Sequence, residues 1–293
     1  MSTAILPTTS ASKPRMRGRV GQERVNWPLT ALLVLGSLTV LVPLYVTVTM
    51  AFKTTAQSTD GEAFTLPAPW SLDGLRQAWE LTNFPRAFLI SSIVTLLAVA
   101  GEILISSMAS YAIVRNWHRK FFRYSFYYLL AAMFIPFPVV ALPQVRLTGI
   151  LGLDNFVGVA LLHIVFSLAF NTLLFTTYIR SIPLELEESM RMDGASTWRT
   201  FWRLIFPLLA PMAATVGIFA FLFSWNDFMM PSLIIAQPEW QTIPVVNSIF
   251  QDQFSNNYNV AFSSYLMAMA PAIIVYIFAQ RWVMSGLTQG AIK

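Results

Sequence analysis

Five long stretches of this chain contain no charge, and that limits its fold more than any other feature. No Asp, Glu, Lys or Arg occurs between Arg24 and Lys53, Arg123 and Arg146, Asp154 and Arg180, Arg203 and Asp227, or Asp252 and Arg281. A sixth stretch, from Arg86 to Arg115, holds one charge, Glu102. Each gap holds at least about 20 residues, enough for a helix to cross about 30 Å of hydrocarbon. Lipid offers no partner to an unpaired backbone amide or carbonyl, so such segments must be helical. The expected fold class is all-α integral membrane, with six transmembrane helices near 28–52, 87–114, 122–143, 156–179, 205–230 and 262–284. With 11% of its residues charged, the chain falls well short of the quarter or so typical of a soluble domain.

The basic residues sort by loop. Lys13, Arg15, Arg17, Arg19 and Arg24 precede the first span, and Arg115, Arg119, Lys120 and Arg123 separate spans two and three. Arg180, Arg191, Arg199 and Arg203 separate spans four and five, and Arg281 and Lys293 follow span six. The other side receives only Lys53, Arg76, Arg86 and Arg146. Because Lys and Arg near spans tend to stay inside, both termini are expected in the cytoplasm. This excess of positive charge lies beside spans and does not point to nucleic acid. Residues 1–26 are expected to be a basic cytoplasmic tail near anionic membrane lipid, a solvated tail without function being the alternative. Residues 27–293 form the six-helix domain. Its first span far exceeds a signal-peptide core of about 7–15 apolar residues. Residues 53–86 form an outer segment in which short helices are expected. Pro136, Pro138 and Pro143 are expected to break span three near its outer end, since each proline removes a helix hydrogen bond. Cysteine is absent, which excludes disulfides, thiolate nucleophiles and cysteine metal sites; no metal site or catalytic residue is expected.

One cytoplasmic loop, 180–206, carries most of the functional information. Pro183 suits a first helical position, and Glu185, Glu187 and Glu188 fall where carboxylates favour the positive end of a helix dipole. That short helix should end near Asp193-Gly194, with Gly194 left-handed. Ser196 or Thr197 can cap a second helix, in which Trp198, Phe201, Trp202 and Ile205 form an apolar stripe. If this second helix runs on rigidly into span five, a partner gripping the first helix would move span five through it. Periodicity alone fits an amphipathic loop lying on the bilayer interface equally well.

The segment resembles the EAA loop of permease subunits from binding-protein-dependent ABC importers. That pattern is Glu-Ala-Ala, three residues, Gly, nine residues, then Ile-x-Leu-Pro. Here it reads Glu188-Ser189-Met190, three residues, Gly194, nine residues, then Leu204-Ile205-Phe206-Pro207. Ser189, Met190, Leu204 and Phe206 depart from it, whereas Glu188, Gly194 and Pro207 keep their spacing. Asp193-Gly194-Ala195-Ser196 is similar to the sugar branch, and Trp225-Asn226-Asp227-Phe228 is similar to a Trp-Asn-acid-Phe segment of span five. The closing Gly286 to Lys293 resembles the tail of the smaller, maltose-type partner permease.

The resemblance implies a type I ABC importer transmembrane domain in a bacterial inner (plasma) membrane. It implies half of a translocation pathway for a sugar, a di- or oligosaccharide by type. The implied partners are a second permease subunit in a heterodimer, an ATPase dimer and an extracytoplasmic sugar-binding protein. It assigns ATPase coupling to Glu185, Glu187, Glu188, Asp193, Gly194 and Ala195, and a secondary ATPase contact to the tail from Gln289 to Lys293. No cofactor is expected in this chain. A phosphate-binding loop needs Gly-Lys-Ser/Thr, and no glycine here is followed by lysine, so ATP would be bound by the partner subunit and the chain itself would not be an enzyme. The outer loop, 231–261, would meet the binding protein or be merely solvated. Trp225, Asn226, Asp227 and Asn171 are the candidates for the sugar pathway. An aromatic face with amide and carboxylate groups suits a sugar, and a structural hydrogen bond between helices is the alternative for each. Glu102 reads as a packing carboxylate, His163 as a packed, hydrogen-bonded histidine, and His118 as a loop residue. A secondary transporter or channel for a polar solute is the competing function. It would call for symmetric repeats or several intramembrane ionisable groups, and the only acids within the spans are Glu102 and Asp227. A membrane-embedded enzyme would call for clustered acids or histidines.

Overall fold

A computed structural model describes residues 26–60, 63–252 and 257–291. Its elements in chain order are α1 (Trp27–Ala51), α2 (Thr55–Thr59), α3 (Asp73–Leu81), α4 (Phe84–Arg115), α5 (Lys120–Ala132), α6 (Phe137–Leu151) and α7 (Phe156–Arg180). There follow α8 (Leu184–Met192), α9 (Thr197–Thr200), a π-helical turn (Phe201–Ile205), α10 (Phe206–Leu208), α11 (Ala210–Asn226), α12 (Met229–Ile234), α13 (Ile243–Asn247), α14 (Ile249–Asp252) and α15 (Tyr258–Ala291). The described residues contain no strand. They divide into two units, one ending at Leu44, whose described part is the start of α1, and one running from Tyr45 onward. The expected basic tail, 1–26, lies outside the described residues except for Asn26.

Helices α1, α4, α7 and α15 are each long and apolar enough to cross a membrane unbroken. Spans three and five are not single helices. Helices α5 and α6 meet at 105° and the stretch Thr197–Leu208 meets α11 at 74°; counting each bent pair as one span gives six. The break in span three falls at Met133–Pro136, and Pro143 sits inside α6 without ending it. At about 1.5 Å per residue, α5 reaches only about 20 Å, so 122–143 is not a continuous crossing helix. The second bend corrects the expectation of a rigid run from the loop into span five. Pro211 has no amide to give, and its ring opposes the carbonyl of Pro207, so the helix cannot continue straight through Leu209.

Within the second unit the core lies along α4, α7 and α11. Helices α4 and α7 run in the same direction: Val94 packs with Val159 near one end, and Tyr111 with Phe175 and Ile179 near the other. Gly101 permits their close approach, because a Cβ there would lie 2.2 Å from Ile164 Cδ1. Helix α11 runs back along α4, with Ser224 Oγ donating to Thr95 Oγ1 at 3.3 Å. The end of α4 that carries Arg115 is called the basic end below.

The segment after α12 folds back onto this core. Its short helical turns bury Ile243, Val245 and Phe250, and the amide of Ile243 donates to Ser91 Oγ on α4 at 2.8 Å. The described part of the 231–261 region is therefore structured and partly buried, which removes the purely solvated reading for it.

Candidate functional site

At the basic end the chain leaves α7 and forms α8, whose residues explain its limits. Glu185 and Glu187 lie in its first turn, where the exposed amides favour negative charge. It ends in a Schellman motif: Gly194 adopts φ +76°, its amide donates to Arg191 O at 2.9 Å, and the amide of Ala195 donates to Met190 O at 3.0 Å. A left-handed residue lets both amides reach back to otherwise unpaired carbonyls. Ser196, rather than Thr197, caps the next helix, accepting the Arg199 amide at 3.3 Å. The apolar stripe is present only in part. Phe201 and Ile205 are buried, whereas Trp198 is 61% exposed.

The carboxylates of α8 do not act alike. Glu185 and Glu188 are exposed, as are Asp193 and Gly194, with Ala195 half-buried. Leu184, Leu186 and Met192 are exposed among them. Glu187 is fully buried. The Tyr111 hydroxyl donates to Glu187 Oε2 at 2.9 Å, and Arg115 Nε donates to Oε1 at 2.6 Å. Arg191 approaches within 3.8 Å. Glu187 thus faces the core and cannot offer its carboxylate to a partner as Glu185 and Glu188 can. The α8 surface available for docking is one of two carboxylates interleaved with aliphatic side chains, closed by the Gly194 turn.

Of the pathway candidates, Trp225, Asn226 and Asp227 lie towards the opposite end, and Asn171 lies along α7 between the two ends. Asn171 is buried, and its Nδ2 donates to Glu102 Oε2 at 2.8 Å across α4 and α7. It serves helix packing here. Trp225 is also buried: its indole N–H donates to Ala268 O at 3.1 Å, its ring stacks on Phe221 at 13°, and Phe88 meets it edge-on. Asp227 ends α11 in extended backbone. One of its oxygens accepts the amides of Met229 and Met230 at 3.0 and 3.5 Å. The other lies 2.9 Å from His163 Nε2, while His163 Nδ1 lies 3.0 Å from Ser224 Oγ. His163 is packed and hydrogen-bonded, as its sequence context implied. Asn226 alone of the four stays exposed, its Nδ2 donating to Leu222 O, which leaves the amide oxygen free for solvent. It borders a cavity of about 360 Å³ shared with Phe228, Asn247, Tyr265 and Met269. The sequence signal, the Trp-Asn-acid-Phe run, missed Asn247 and Tyr265, which come from two other helices.

For the C-terminal candidates, residue 289 lies in the helical run of α15, and Lys293 is outside the described residues. Among the described residues no three His, Cys, Asp or Glu side chains come together as a metal site requires.

An all-helical, membrane-spanning chain with a capped acidic helix between two spans and a polar recess at the other end defines a transporter membrane component. The chain belongs to the family of binding-protein-dependent transport system inner membrane components, which matches residues 101–289. It is 33% identical to the multiple sugar-binding transport system permease protein MsmG of Streptococcus mutans, over 93% of this chain and 99% of that protein. Its fold resembles a chain of a bacterial ABC transporter involved in import of the acidic polysaccharide alginate, with a TM-score of 0.74 at 22% identity. That match covers 87% of this chain and 95% of the other. A second alginate transporter structure, in complex with an alginate pentasaccharide-bound periplasmic protein, matches with a TM-score of 0.61 at 17% identity. It covers 86% of this chain and 92% of that one.

Proposed function

We propose that this chain is one of two permease subunits of an ATP-driven sugar importer, taking a di- or oligosaccharide from an extracytoplasmic binding protein. The observation that carries this reading is α8: an exposed helix with two outward carboxylates and three exposed aliphatics, fixed in shape by the Gly194 turn. Such a mixed surface suits an interface with a partner protein, where apolar anchors supply affinity and rim charges supply register. Its place at the basic end supports a cytoplasmic location under the positive-inside rule, with both termini on that side, where a separate ATPase dimer would grip it. The multiple-sugar relative and the alginate importers support carbohydrate as the cargo. At the opposite end, Asn226 offers a free amide oxygen, and Phe228 and Tyr265 offer ring surfaces. Sugars present apolar ring faces and hydroxyls to such groups. Trp225 and Asp227, beside Asn226 in the chain, act behind this surface as its supports, while Asn171 joins α4 to α7.

Uptake of radiolabelled oligosaccharide into vesicles holding this chain, its partner permease and the ATPase should require internal ATP and external binding protein. Uptake driven by an ion gradient without the ATPase would reject the reading in favour of a secondary transporter.

A further inference from the structure

Helix α8 is held to the rest of the protein in an unusual way. Of its nine residues, Glu187 is the one that is buried. A surface helix of a globular protein ordinarily attaches through a stripe of apolar side chains. Here Leu184, Leu186 and Met192 point outward, and the attachment is a carboxylate inserted beside α4. Both groups that hold it belong to the last turns of α4: Tyr111, itself 6% exposed, and Arg115, whose Nη2 also reaches Ile182 O just before α8 at 3.5 Å. A second link ties the same region, with Arg180 at the end of α7 lying 4.5 Å over the Trp117 ring, just past α4. Tyr111 further packs against Phe201 of the π-helical turn, ring centroids 5.5 Å apart.

A buried carboxylate with paired oxygens is a directional, stiff connection, and breaking it leaves an uncompensated charge. The route through the loop into α11, by contrast, contains a π-turn and a 74° bend. We propose that Glu187 is a positioning residue that hooks α8 to span two through Arg115 and Tyr111. Force applied to α8 then enters the bundle through span two as well as through span five. This rests on the reading of α8 as the ATPase contact. It divides the acids of the loop into two kinds: Glu185 and Glu188 face the partner, and Glu187 ties the loop to the pathway.

The test uses the assembled complex in vesicles. Glu187→Ala and Arg115→Ala should keep the ATPase subunit bound on co-purification yet lower binding-protein-stimulated ATP hydrolysis and uptake at least tenfold. Tyr111→Phe should lower them no more than two- to threefold. The charge-exchanged pair Arg115→Glu with Glu187→Arg should recover at least a third of wild-type activity. The chain has no cysteine, so Arg115→Cys with Glu187→Cys, bridged by a bifunctional thiol reagent, should likewise regain stimulation. If Glu187→Ala loses assembly, the same two rescues decide: recovery supports the hook and failure of both overturns it. Unchanged stimulated hydrolysis in Glu187→Ala would also overturn it. In that case, loss of stimulation in Gly194→Val would show that α8 still couples and only the hook is wrong, whereas normal stimulation in both would remove the coupling reading itself.

Discussion

Gly194 and Gly158 show how differently two glycines constrain the same chain. Around Gly194 no atom lies within 4 Å of an added Cβ, so its requirement is conformational, set by φ +76°. A residue with a Cβ costs about 1–2 kcal/mol in that region, and Asn costs least. Gly194→Asn should therefore retain most sugar-stimulated ATPase activity. Gly194→Val, which also carries β-branching, should fold but lose that stimulation, as measured on the purified complex. Gly158 is helical, yet a Cβ there would sit 1.8 Å from Leu153 O, a backbone atom that cannot rotate away. Gly158→Ala should destabilise by about 1–3 kcal/mol or more through overpacking, lowering the thermal midpoint in detergent more than Gly194→Ala does. Sequence spacing identified Gly194 and its left-handed role because helix-ending chemistry is local. It gave no sign of Gly158, whose constraint comes from a carbonyl five residues earlier that folds back over the helix start.

Between elements, the decisive contacts are polar and long-range. Asp227 joins α7, α11 and α12 by accepting two amides of α12 and meeting His163 of α7. Asn226, one residue earlier, faces the cavity. The two should separate cleanly in experiment. Asn226→Ala should raise the sugar concentration for half-maximal uptake about fivefold, corresponding to loss of one hydrogen bond worth roughly 1 kcal/mol, with little change in thermal midpoint. Asp227→Ala should cost about 1–3 kcal/mol of stability by orphaning partly buried donors, and Asp227→Asn should recover much of it. Titrating uptake and melting each variant in detergent would check both. The positions of the helices were legible from charge gaps alone, since α1, α4, α7 and α15 fall where apolar stretches are long enough. The prolines pointed to the break in span three, which falls at Met133–Pro136, but the bend at Leu209 was not placed, because a charge gap measures apolar length and says nothing of continuity. The partners of Glu187, Asp227 and Asn171 were illegible for a different reason. Tyr111 lies 76 residues from Glu187 and His163 lies 64 from Asp227, and no local pattern encodes such pairings.

In the whole molecule, α4, α7 and α11 join an acidic, partly apolar helix at the basic end to a polar, aromatic-lined recess at the other. Under the proposed function, α8 is where a nucleotide-hydrolysing partner engages. Since the chain contains no cysteine, Glu188→Cys places a single reactive group on the exposed face of α8. Treated with a cross-linker that joins a thiol to a lysine amine in the reconstituted complex, that variant should form a covalent adduct with the ATPase subunit, and the yield should change when ATP is added. Adducts formed only with the sugar-binding protein, or none with the ATPase while the complex still hydrolyses ATP in response to sugar, would contradict the account.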